Sequence, residues 1–149
     1  MCPARHAYVV DRESQVTRDD LGGLTPLAAP ESIPSPERVW NEADWDLIQR
    51  GHKSADMDDK WHASVEGRRL YLHRSWTGRG IYEAEFGPVP DGWRITSAVV
   101  EGHSSSYRRQ ADDYESALLE ALIDGKLLGI YDGPGHQRLA RARNERGMS

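Results

Sequence analysis

Cysteine is almost missing from this 149-residue chain: Cys2 is the only one. That excludes an internal disulfide and a cysteine-based zinc site, and it favours a cytosolic setting. Long apolar runs are missing too. Near the N-terminus nothing exceeds Ala7-Tyr8-Val9-Val10, so neither a secretory signal nor a membrane span is expected. An excess of positive charge is also lacking. With a formal net charge of −5, the chain has no overall attraction for nucleic acid or an anionic membrane, and any such partner would need a local patch. Several catalytic signatures are absent as well. There is no G-x-S-x-G elbow, and Gly78-Arg79-Gly80 is too short for a dinucleotide fingerprint and sits in a hairpin rather than ahead of a helix.

What is present is one domain's worth of chain. Its 38% hydrophobic and 29% charged content points to segments outside a packed core. Residues 1–36, with the series Pro26, Pro30, Pro34 and Pro36, read as a flexible arm, with a short edge strand at Tyr8–Val10 as the alternative. Residues 37–132 read as a single α+β domain, and residues 133–149, with Arg138, Arg141, Arg143 and Arg146, as a basic flexible tail.

Inside the domain the local signals are sharper. Asn41 is an N-cap, Asp44 suits the positive helix end, Trp40 and Trp45 have staple spacing and Gly51 is a stop, so a helix is expected over Glu42–Arg50. Alternation then predicts strands over 61–65, 70–76, 81–86 and 93–101, joined by turns at Glu66-Gly67-Arg68, Thr77–Gly80 and Gly87–Gly92. A second helix is expected from Asp112 to about 124, with Tyr114, Ala117, Leu118, Ala121 and Leu122 as its apolar stripe. The expected fold is a four-stranded antiparallel meander packed by two main helices.

The chemistry concentrates between residues 56 and 86. By strand period Arg74 falls on the face of Leu70 and Leu72, and an inward guanidinium needs an anion, either an internal carboxylate (Asp58, Asp59 or Glu83) or a ligand. Lys60, His73 and Arg74 are the candidate anion binders, with Tyr71 or Trp76 as a stacking ring and Ser75 and Thr77 beside them. Asp58, Asp59 and His73 are the candidate catalytic groups. No spacing of His52, Asp56, His62 and His73 matches a zinc motif, so neither a metal nor another cofactor is expected. Charge is segregated: residues 1–60 carry seven basic against twelve acidic side chains, residues 61–109 seven against five.

Met57-Asp-Asp-Lys-Trp61, followed by Leu70-Tyr-Leu-His-Arg-Ser-Trp-Thr-Gly78 and Ile81-Tyr82, resembles a signature of small uncharacterised bacterial domains that accompany modules handling ADP-ribose. The resemblance covers about thirty residues and implies a nucleotide-type ligand; it supplies no catalytic residues. The expected function is binding, with processing left open, of an anionic, nucleotide-like ligand such as an ADP-ribose derivative. The alternative is a protein-interaction module, toxin-neutralising or regulatory, using the acidic first third and the tryptophan-rich loops.

Overall fold

The computed structural model describes residues 16, 21, 24–54, 59–103, 107, 109–131 and 133–145, with the side chains of residues 144 and 145 excepted. The alternative strand at Tyr8–Val10 and the candidate Asp58 lie outside the described residues. Among the described residues six strands form one sheet: β1 (Pro30–Ile33), β2 (Val39–Trp40), β3 (Trp61–Glu66), β4 (Arg69–Arg74), β5 (Gly80–Val89) and β6 (Gly92–Glu101). The order is β1-β6-β5-β4-β3, antiparallel throughout, and β2 pairs with the opening residues of β6. Among the described residues three α-helices accompany it: α1 (Glu42–Arg50), α2 (Asp112–Leu122) and α3 (Pro134–Glu145); a π-helical turn, Ile123–Leu127, continues α2. The α+β class and the β3–β6 meander agree with the sequence expectation. The count of four strands does not, because β1 and β2 extend the sheet beyond β6.

Both added strands escape pattern reading for physical reasons. β2 is two residues long, too short to alternate. β1 sits within the stretch read as an arm, but Pro30 opens an edge strand, where its missing N–H costs no ladder bond, and only Ile33 turns into the core. Thr25 adds a further tie: its N–H donates to the Gly78 carbonyl at 2.8 Å and its carbonyl accepts from Gly80 N–H at 2.9 Å.

The helix α1 forms as its sequence dictates. Asn41 Oδ1 accepts from Asp44 N–H at 2.8 Å, and Gly51 ends the helix at φ 75°, a value that favours glycine. Trp40 and Trp45 both pack on Phe86, with ring centroids 5.7 and 4.8 Å away, and Trp45 stacks on Trp93 at 4.7 Å. One face of the sheet thus carries Trp61, Leu70, Leu72, Tyr82, Phe86 and Ile95 into a core shared with α1, α2 and the π turn. The opposite face carries Arg69, Tyr71, Glu83 and Glu85, with Arg69 bonded to Glu83 at 3.3 Å and to Glu85 at 2.8 Å.

The chain end also departs from the expected tail. Pro134 starts α3 at a position where a proline fits a helix, and Leu139 and Ala142 pack against Tyr114, Ala117 and Ala121. With the sheet on one side and α3 on the other, α2 buries most of its circumference, including Glu115 and Glu120. Those charges are compensated. Arg38 donates to Glu120 at 2.9 Å and to Asp124 at 2.7 Å, Arg138 donates to Glu120, and Trp40 Nε1 and Gly135 N–H each donate to Asp124 at 3.2 Å. Burial alone would lower the Arg38 pKa, but the bonds to Asp124 and Glu120 outweigh it and the pKa is raised. No helix among the described residues is long and apolar enough to cross a membrane.

Candidate functional site

The site is built at the end of the β3–β4 hairpin. Register pairs Trp61 with Arg74, so both side chains share the core face, as strand alternation requires. Between Leu72 and His73 the β4–β5 register shifts, leaving Ile81 as an extra residue, and the chain turns through Ser75–Gly78 with Gly78 at φ 73°. Bulges of this kind bend a strand and re-aim its end. Here the end carries Arg74, Trp76 and Thr77. Together with Lys60 they line a cleft of about 370 Å³.

The Arg74 guanidinium packs against two rings. Its Cζ lies 4.5 Å from the Trp61 ring centroid and 5.8 Å from that of Tyr107, both within cation–π range. Among the described residues no carboxylate pairs with it, and none pairs with Lys60. Trp76 is 69% exposed, the most exposed of the large hydrophobic side chains described. Thr77 Oγ1 accepts from Arg79 N–H at 3.2 Å, which leaves the hydroxyl proton to donate.

A buried group anchors the ring beside Arg74. The Glu115 carboxylate accepts from the Tyr82 hydroxyl, from the Tyr107 hydroxyl at 2.9 and 3.1 Å, and from Gln110 N–H at 2.6 Å. The bond from Gln110 ties the segment ahead of α2 to the helix, whose N-cap, Ala111, supplies no side-chain cap. Burial raises the pKa of both phenols; Glu115 adds to this in both, and Tyr107 adds to it in Tyr82. The two tyrosines therefore stay neutral donors, and Tyr107 is fixed with its ring beside Arg74.

The structure sorts the remaining candidates. The Asp59 carboxylate lies 2.5 Å from His52 Nε2 and 3.1 Å from Lys126 Nζ, and its backbone carbonyl accepts from the Ser54 and Ser75 hydroxyls at 2.6 and 2.9 Å. Ser75 is thereby a tie between the two chain segments. His73 is buried and pairs with His62 across the sheet, on the face opposite Arg74, and Tyr71 lies on that same face opposite Ser64 and Glu83. Neither joins the lining residues. His62 Nδ1 accepts from Ser54 N–H at 2.9 Å. No group of three or more His, Cys, Asp or Glu able to hold a metal occurs among the described residues. Of the candidate ligand binders, Lys60, Arg74, Trp76 and Thr77 come together.

Tyr107 and Glu115 were not singled out from the sequence. Glu115 falls one helical turn before Leu119 and two before Leu122, so an acid on a buried stripe was the available signal. Comparison with protein families, curated proteins and solved structures gives no match for the chain.

Proposed function

We propose that this domain binds a small anionic ligand in the cleft formed by Lys60, Arg74, Trp76 and Thr77. The supporting observation is the Arg74 guanidinium, placed by Trp61 and Tyr107 at the cleft with no carboxylate partner among the described residues. A guanidinium cannot discharge by losing its proton, and its fork of N–H donors matches a carboxylate or phosphate. Lys60 supplies a second positive charge. The proposal concerns binding: Asp59 is committed to His52 and Lys126, and His73 lies on the far face. Binding in the cytoplasm belongs to the same proposal.

The interaction-module alternative draws less support. It needs tryptophan-rich loops at the surface, whereas Trp40, Trp45 and Trp61 are buried in the core. A thermal-shift panel of pyrophosphate, sulfate, citrate and AMP, run with wild type and Lys60→Ala, tests the proposal. At least one anion should raise the wild-type melting temperature, with a smaller rise for Lys60→Ala. No shift with any of the four contradicts it.

A further inference from the structure

We infer that the ligand is a phosphate monoester carried on a flat ring system, of nucleoside monophosphate size. The inference rests on the anion-binding reading above and adds three things to it: the charge of the anion, the ring, and the size.

Charge comes first. Lys60 and Arg74 bring two positive charges to one cleft, and no described carboxylate offsets either. A carboxylate ligand would leave one of them uncompensated, whereas a phosphate monoester, with a second pKa of about 6, carries close to two negative charges at neutral pH. It also has three terminal oxygens for three kinds of donor: the Arg74 fork, the Lys60 ammonium and the Thr77 hydroxyl.

The ring follows from Trp76. Trp76, 69% exposed, brings a large aromatic ring to the lip of a charged cleft. Stacking a base or similar heterocycle on such a ring is sequence-tolerant and contributes measurably to affinity, as in single-strand binders. Trp76 and Thr77 are neighbours in one turn, so a phosphate at Thr77 and a ring at Trp76 are parts of one small molecule.

Size selects the monophosphate. At about 370 Å³ the cleft falls toward the lower end of ligand pockets, which span about 300–1,000 Å³. A single nucleoside phosphate matches it. ADP-ribose, with a diphosphate and a second sugar, would leave one half outside.

Isothermal titration of the full chain with AMP, ribose 5-phosphate and adenosine, in wild type, Trp76→Leu and Trp76→Phe, tests the inference. AMP should bind at least about fivefold more tightly than ribose 5-phosphate. Trp76→Leu should weaken AMP more than it weakens ribose 5-phosphate, so that the difference between the two closes, and Trp76→Phe should retain part of that difference. Adenosine should bind at least about tenfold more weakly than AMP. Equal wild-type affinity for AMP and ribose 5-phosphate, or a Trp76→Leu variant that binds AMP as wild type does, overturns the ring and leaves the anion site standing. Adenosine binding as tightly as AMP overturns the phosphate. If neither phosphate binds, the inference fails, and the citrate and sulfate arms of the thermal-shift panel show whether anion binding fails with it.

Discussion

Arg74 and Trp61 face each other across β3 and β4, with the guanidinium carbon 4.5 Å from the indole centroid, so a cation lining the cleft rests on a core tryptophan. Tyr107 holds it from another side and is itself tied to buried Glu115. Two substitutions separate the ring from the hydroxyl. Tyr107→Phe keeps the ring and removes one donor to Glu115, and should cost about 1 kcal/mol of stability with little change in anion affinity. Tyr107→Leu also removes the ring and should weaken anion binding several-fold. Urea unfolding and titration of both variants check this; equal anion affinity in the two would show that the ring does not position Arg74.

The first helix tests the fold itself. Asn41→Ala leaves Asp44 N–H without its acceptor and should cost about 1 kcal/mol. Trp45 is buried between Phe86 and Trp93, and Trp45→Ala should cost about 3–5 kcal/mol. Chemical denaturation of the two variants gives both values, and near-equal losses would remove Trp45 from the core.

Arg38 holds together parts of the chain that are far apart in sequence. Arg38→Met leaves Glu120 and Asp124 buried without this cation and should cost about 3 kcal/mol, as loss of one partner of a buried pair does. Deleting residues 134–149 uncovers Tyr114, Ala117 and Ala121 and should lower the melting temperature by more than a few degrees. An unchanged melting temperature after that deletion would return the segment to the dispensable tail expected from its composition.

Stability should fall in two steps as pH is lowered. Burial, then the neighbouring charges of His52 and Lys53, lower the His62 pKa below 6.5 against the pull of Asp59. Below about pH 6.5 the unfolded chain takes up a proton that the folded state resists, so stability present above that pH is lost on acidification. For Glu101, burial alone would raise the pKa, but the N–H groups of Ala28, His103, Ala29 and Gly102 outweigh it and lower it below 4.5. Its contribution is present above pH 4.5 and is lost as the pH falls through the folded value. His62→Asn, which retains an acceptor for Ser54 N–H, should flatten the first step in urea unfolding measured across pH, and Glu101→Gln the second.

What could be read from the sequence was local. Asn41, Gly51 and the alternation of Trp61, Ala63 and Val65 each act over a few residues, so α1 and the β3–β4 hairpin were legible, and with them the face of Arg74. The rest depends on distant partners. β1 buries one residue and borrows its ladder from β6, as in Ile33 opposite Ala98, 65 positions away. α3 has two buried apolar side chains and is held by α2, while Arg138 finds Glu120 rather than solvent. In the site, Lys60 and Arg74 were legible because strand pairing joins them. Tyr107 was not, because its role depends on Glu115 in the next helix and on Tyr82 in the sheet.

The most direct test of the anion-binding cleft is Arg74→Lys, followed by titration with AMP and by urea unfolding on the same preparation. With aromatic partners and no carboxylate partner among the described residues, the substitution should change unfolding free energy by no more than about 1 kcal/mol, since lysine keeps the charge over Trp61 and Tyr107. AMP affinity should fall at least about tenfold, because one ammonium cannot reproduce the bidentate fork. A variant that loses several kcal/mol of stability while AMP binds wild type and variant alike would contradict the account and make Arg74 part of the scaffold.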